Sequence, residues 1–338
     1  MDLSPATAKE YLTNSTDLTT VADAIRAKGG TAAQLVYPAG FVSAIQAIET
    51  GITPQLIVTT SAGAAVTATK GSKTVSGTAG TDGTCTLELS EAGEWSVTAS
   101  LNGNSKTKSI MIGTQTLDVS ILSDTFAENS WAQIAEACQT GTVPSTWIVG
   151  NSKTMTIGGT DYQIDIIGKN HDTYADGSGT APLTFQMHDC YATTYAMNAA
   201  NTNVGGWKGC AMRTTHLPAI LALMPTEVQN GIREVNKLTS AGNTSATIET
   251  TADKLFLLSE VEVFGTDRFS YAGEGTRYDY YQAGNTATKN RNGSYQKWWT
   301  RSPYKSDGEN FGTSAYQPAE PDTSGANNSN GVAFGFCF

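Results

Sequence analysis

Between residues 54 and 122, apolar side chains return at every second position in short runs: 55–60, 65–70, 73–77, 85–89, 94–101, 107–112 and 116–121. A period of two marks a strand with one face in a core. Turn residues part the runs: Gly63, Gly71, Asp82-Gly83, Gly93, Asn102-Gly103 and Gly113. The Asn-Gly pair is the sharpest signal, because a two-residue hairpin loop that matches strand twist needs positive φ at both positions. This many short strands in so short a stretch predict a small β-sandwich. Its inward positions should include Val58, Val66, Leu87, Leu89, Trp95, Val97 and Ile110.

Residues 1–53 predict short helices. Asp17 is the expected N-cap of a helix with Leu18, Val21, Ala22 and Ile25 on one face, stopped by Gly29-Gly30. Pro38 opens a second, with Phe41, Val42, Ile45 and Ile48 in a stripe ended by Gly51. Two helices of this size cannot bury their own apolar faces. They must pack on a neighbouring domain, a second copy or a larger assembly.

Residues 123–338 predict one larger α+β domain, so the chain should be multidomain. Asn129 or Ser130 caps a helix with Trp131, Ile134, Ala135 and Cys138 inward, closed by Gly141. Strand-like runs cover 146–149, 154–157 and 162–167, and helix-like ones cover 189–198 and, from Leu217 with a break at Pro225-Thr226, 227–238. Beyond Phe264 periodicity fades until residues 331–338, which read as a buried terminal strand. A structureless stretch of that length is improbable inside a compact domain. Its aromatics argue for order: residues 271–304, a tenth of the chain, hold six of the 13 Tyr together with Trp298 and Trp299.

Charge excludes whole classes of partner. The chain has 21 Lys+Arg against 31 Asp+Glu, a net −10, and only 15% charged residues, where about 25% is usual. A nucleic-acid binder needs clustered cations, as does a protein that docks on anionic lipid. No run of 18 apolar residues exists, so no membrane insertion is expected, and residues 1–15 do not read as a secretory signal. Cys85, Cys138, Cys190, Cys210 and Cys337 are unclustered and read as buried thiols. A surface built largely from Thr, Ser, Asn and Gly suits an extracellular or virion protein.

Catalytic signatures are absent: no G-x-S-x-G, no H-E-x-x-H and no phosphate-binding Gly loop. His188 and Cys190 could share a site, but a nucleophile pair needs a third, orienting group, and a core or boundary pair is the preferred reading. Asp172, Asp176 and Ser178 could hold Ca²⁺, yet the spacing lacks the D-x-D-x-D-G pattern, and an Asp-capped turn is preferred. The remaining feature is the C-terminal stretch rich in Tyr, Asn, Ser and Gly. These are the residues of adaptable recognition loops. Trp298-Trp299 and Arg301 read as core, leaving 304–330 as the binding candidate.

Several motifs carry a resemblance: Asn170-His171-Asp172, Ala175-Asp176-Gly177-Ser178-Gly179, Gly205-Gly206-Trp207, Cys210-Ala211-Met212-Arg213 and Trp298-Trp299-Thr300-Arg301-Ser302-Pro303. Together they resemble an uncharacterised domain of surface and phage proteins of Gram-positive gut bacteria, with a C-type-lectin-like, formylglycine-generating-enzyme-like fold. The stretch from Leu18 to Gly30, with Tyr37-Pro38-Ala39-Gly40-Phe41, is similar to a segment recurring in phage tail or fibre proteins. The resemblance implies a non-enzymatic phage adhesin of the virion surface, made in the host cytoplasm. Residues 1–53 would attach to other virion proteins; 54–122, whose segment from Thr81-Asp82-Gly83 to Leu89 and Gly93-Glu94-Trp95-Ser96-Val97 resembles immunoglobulin-like or carboxypeptidase-regulatory-like repeats, would space; and 123–338 would bind a host-surface receptor, protein or glycan. It further implies a homo-oligomer, with a trimer expected. The ligand face would comprise Tyr304, Ser306, Asp307, Glu309, Asn310, Phe311, Ser314, Tyr316, Asn327, Asn328 and Asn330. In some such adhesins, retroelement-driven mutation at adenines enriches loops in these residue types. The Glu-Pro-Asn and Trp-Asn-Asp motifs of calcium-dependent lectins are missing, as is the Cys pair of the oxidase relatives, so no metal or cofactor is expected. Two other readings stay open: a virion structural or decoration protein, and a glycan-processing tail hydrolase with Glu260 and Glu262 as paired carboxylates on one strand face.

Overall fold

The computed structural model describes residues 15–27, 54–113 and 117–338. The expected helix at 38–48 lies outside them, as do Gly29-Gly30. Helix α1 (Ser15–Ala27) begins two residues before Asp17, which therefore sits within its first turn rather than capping it. Ala22 and Ile25 are buried while Val21 is exposed, so the buried stripe is narrower than the apolar one. The chain is multidomain and rich in β-structure. It divides into two compact units, Met1–Thr59 with Ala64–Gly80 and Thr84–Ile121, and Thr60–Gly63 with Thr81–Gly83 and Leu122–Phe338. No helix among the described residues is long and apolar enough to cross a membrane.

Among the described residues of the first unit, seven strands follow in order: β1 (Gln55–Thr59), β2 (Ala65–Lys70), β3 (Lys73–Thr78), β4 (Thr84–Glu88), β5 (Gly93–Leu101), β6 (Asn104–Ile112) and β7 (Leu117–Ser120). They make two sheets, ordered β4-β1-β7 and β3-β2-β5-β6. Every inward position expected from the alternation is buried, and Leu56, Val66, Leu87, Trp95, Val97 and Ile112 join both sheets in one core. β5 and β6 close on Asn102-Gly103, where φ is 51° and 81°, as the hairpin signal requires. β7 pairs parallel to β1, which no local pattern announces. The edge strands β3 and β6 carry Lys73, Lys106 and Lys108, charges that discourage pairing with another chain.

The second unit begins with helix α2 (Trp131–Thr140). Ser130 forms a reciprocal capping box with Gln133, and Gly141 ends the helix at φ 68°. Strands β8 (Ser152–Ile157), β9 (Thr160–Gly168) and β10 (Thr184–Met187) follow. The expected strand at 146–149 is instead a turn, and 189–198 is irregular rather than helical. Short helices α3 (Gly206–Gly209), α4 (Leu217–Leu221) and α5 (Thr226–Gly231) come next. The helical pattern of 227–238 stops at Gly231, whose close approach to Ala135 leaves no room for a Cβ. Long-range pairing then takes over: Arg233 N–H donates to the Cys337 carbonyl and Val235 bridges Tyr174. Val235 starts β11 (Val235–Gly242), which forms a hairpin with β12 (Ser245–Asp253).

Beyond them lie α6 (Glu260–Phe264), α7 (Asp279–Gln282), β13 (Asn290–Arg291), β14 (Ser294–Tyr295) and the meander of β15 (Trp298–Pro303), β16 (Asn310–Ala315) and β17 (Glu320–Gly325). Tyr278, Tyr280, Tyr281, Trp298 and Trp299 are buried, so five of the eight Tyr and Trp in this stretch serve the core rather than the surface. The terminal strand β18 (Gly335–Cys337) returns to β10, completing the sheet β18-β10-β9-β8. Phe336 stacks on Phe185 at 5.0 Å, and Phe126, Trp131 and Phe338 complete an aromatic cluster.

Candidate recognition surface

The β15-β16-β17 meander sets where the C-terminal loops emerge. Asn310 pairs with Gly325 and Ala315 with Glu320, so loop 304–309 and segment 326–330 leave one end while 316–319 leaves the other. Loop 304–309 is folded on itself by Asp307. Its Oδ1 accepts the N–H groups of Glu309 (2.9 Å) and Asn310 (2.8 Å), and its Oδ2 accepts the Asn310 amide. Against some desolvation, those donors hold the Asp307 carboxyl below its ordinary range.

Asn203 pins this loop to the rest of the unit. Its side chain is wholly buried. Nδ2 donates to the carbonyls of Asp307 (2.9 Å) and Asn310 (2.8 Å), while Oδ1 accepts the Asn243 N–H at 2.7 Å. The Asn203 backbone N–H donates to the Gly308 carbonyl at 2.7 Å. Gly242 makes that approach possible: at φ 76°, a Cβ there would lie 2.0 Å from the Asn203 carbonyl oxygen. Around the pinned loop, the Tyr271 hydroxyl donates to the Thr244 carbonyl at 2.6 Å, Asn201 donates to Glu309 Oε2 at 3.0 Å, and Ala326 N–H donates to the Glu309 carbonyl at 2.9 Å.

The expected ligand residues divide. Ser306, Glu309, Asn327 and Asn328 are exposed, and Tyr304, Asp307 and Asn310 are half-buried, all at this one end of the meander. Tyr316 is 59% exposed but lies at the opposite end, its N–H donating to the Tyr295 hydroxyl. Three expectations are corrected. Phe311 is fully buried on the central strand and belongs to the core, so it is no surface anchor. Ser314 is buried with its hydroxyl directed to the Ala287 carbonyl (3.2 Å). Asn330 is buried, donating to Ser324 Oγ at 3.0 Å and bridging Tyr195. Asn201, Asn203, Asn243 and the exposed Val204 complete the patch and were missed. Their one local signal is the Asn201–Gly206 run of Asn and Gly, and only the fold brings it to residue 308.

A family model described as a domain of unknown function (DUF6273) matches residues 184–333. This is less than half of the chain, but it contains the whole patch. No curated protein matches the chain.

The elements that carry the patch are tied by an ionic network. Arg301 of β15 donates through two nitrogens to Glu262 of α6 (2.5 and 2.8 Å) and also to the carbonyls of Leu257 and Leu238. Lys237 of β11 lies 2.8 Å from both Asp172 Oδ1 and Glu262 Oε1 and 3.0 Å from the Tyr278 hydroxyl. Burial would raise the carboxyl pKa values, but Lys237 beside Asp172, and Arg301 and Lys237 beside Glu262, carry both below the ordinary range. Glu274 goes the other way. Burial pushes it up to about 7, although Ser240 N–H and the Ser302 hydroxyl donate to it. Asp172, Lys237, Glu262, His171 and Thr276 line a cavity of about 340 Å³.

The other candidates resolve separately. Asp172 faces Lys237 while Asp176 pairs with Arg233, so the two do not converge on a cation. Glu260 and Glu262 lie on a short helix, not a strand; Glu262 is committed to Arg301 and Lys237, and Glu260 accepts the Phe269 N–H. They do not face one another across a cleft as an acid and base must. Cys190 is buried, with its thiol pushed up to about 12 by desolvation. His188 instead bonds Asp165 at 2.7 Å, and that bond raises the imidazole pKa. All five thiols are free and buried.

Proposed function

We propose that this chain is a phage adhesin that binds a host-surface receptor through the patch built by Tyr304, Ser306, Asp307, Glu309, Asn310, Asn327 and Asn328, with Asn201 and Val204 at its border. In this reading the second unit is a C-type-lectin-like head and the first an immunoglobulin-like spacer. Residues 1–53 attach to other virion proteins in a homo-oligomer, taken as a trimer. One observation supports the reading above the others: a loop of exposed polar side chains is fixed from beneath by the buried Asn203. Fixing the backbone in advance lowers the ordering cost of binding, and amide, hydroxyl and tyrosine groups supply adaptable contacts.

The test keeps to exposed residues, because exchanging the whole of 304–330 would also replace Phe311 and Ser314 in the core. Ser306→Ala, Glu309→Ala, Asn327→Ala and Asn328→Ala together should leave thermal stability within about 1 kcal/mol. They should cut the amount of full-length protein retained on host cells at least tenfold. Unchanged retention sinks the assignment. If labelling of intact particles then shows the patch covered by neighbouring subunits, the decoration-protein reading replaces it.

A further inference from the structure

We propose that Lys237 and Asp172 are joined in the mature protein by a side-chain amide bond, formed autocatalytically with Glu262 as proton relay. The two side chains meet across 65 positions of sequence, with Nζ 2.8 Å from Oδ1. Asp172 is 4% exposed, Lys237 1% and Glu262 2%. The Phe256 ring covers Nζ at 4.2 Å, and Glu262 Oε1 lies 2.8 Å from the same nitrogen. A reacting nitrogen, a carboxyl carbon and a second carboxylate are therefore held together, away from bulk water, without any further reagent.

The step balances as a condensation. The resting pair is charged; along the 2.8 Å contact one Nζ proton passes transiently to Asp172 Oδ1, leaving a neutral amine beside a neutral acid as the minor, reactive form. The nitrogen lone pair forms the N–C bond to the Asp172 carboxyl carbon. Charge develops on Oδ2, where the Thr184 hydroxyl (2.6 Å) and the Tyr278 hydroxyl (2.9 Å) donate. A second Nζ proton passes through Glu262 Oε1 to Oδ1. The C–Oδ1 bond breaks and one water leaves, with the adjoining cavity of about 340 Å³ to receive it. The third proton stays on the amide nitrogen. Arg301 pairs with Glu262 and so favours its return to the ionised form once the proton has moved on. The product removes one buried ion pair, whose desolvation opposes folding. It also closes a long loop covalently, which restricts the unfolded chain.

Intact mass of the full-length chain under denaturing conditions decides the matter. The expected result is a mass one water below that of the sequence, and a proteolytic digest containing one branched peptide with both Asp172 and Lys237. Lys237→Arg keeps the positive charge but lacks the amine, so it should show the full mass and two separate peptides. Glu262→Gln should leave a larger fraction at full mass. Folded wild-type protein at the full sequence mass overturns the proposal. So does a loss of one water without the branched peptide, since Asp-Gly steps such as Asp176-Gly177 can cyclise with the same mass change.

Discussion

In the first unit, among the described residues, no charged side chain is buried, and the core is Leu, Val, Ile, Ala and Cys85 around Trp95. In the second, Asp165, Asp172, Lys237, Asp253, Glu260, Glu262, Glu274, Lys289 and Arg301 are all buried within a larger aromatic core. An apolar interior is non-directional and tolerates many repackings of the same volume. A buried ion is tolerated in few arrangements, because each unpaired charge or N–H costs several kcal/mol. The second unit has long irregular segments with few backbone ladders to align them. Directional bonds from Arg301 to the Leu257 carbonyl, Asn203 to that of Asp307 and Lys289 to that of His188 take over that task. The exposed polar patch proposed for recognition sits on elements fixed in this way.

That contrast can be broken experimentally. Arg301→Met leaves Glu262 short of its main partner and should cost about 5 kcal/mol, at the upper end for a broken buried pair. Amide-exchange mass spectrometry should show faster exchange in peptides from 235–303 and unchanged exchange in 55–112. A loss under about 1 kcal/mol would mean that packing alone carries the second unit. Trp95→Ala should cost about 4 kcal/mol through transfer and cavity terms, with the faster exchange now confined to the first unit.

Glu274 sharpens the same comparison through pH. Its folded pKa of about 7 lies above the unfolded value of about 4.3. The stability it contributes is therefore complete below the unfolded value and is lost as pH rises through about 7. Glu274→Gln mimics the protonated form: its oxygen still accepts from Ser240 and its NH₂ can donate to Ser302. Urea titration should find it about 2 kcal/mol more stable than wild type at pH 8 and equal at pH 4. Equal stability at pH 8 would show that the carboxylate is accommodated without penalty. The smallest effect belongs to the first unit. Asn102→Ala forces a Cβ residue with no local hydrogen bond into φ near 51° and should cost about 1 kcal/mol by the same titration.

The first unit was legible because its information is local. A period of two marks the faces, Asn102-Gly103 sets one register, and each inward residue needs only to be apolar. In the second unit the same was true of Ser130, Gln133 and Gly141 around α2, and of the apolar terminal strand. The pattern misled where a distant partner outbid local preference, as when Cys337 and Tyr174 draw 233–235 out of the helical pattern. It misled again at Phe311 and Ser314, which lie on opposite faces of β16: residues 311–315 are all buried, and residue type alone cannot say that a strand is covered on both faces. What the chain dictates unaided is which segments hide apolar faces and where they turn. The fold decides which polar groups share an interior: Lys237 finds Asp172 and Glu262, and Asn203 finds loop 304–310, because a hydrogen bond or an ion pair acts over a few ångströms and only folding brings positions 65 or 100 apart to that range.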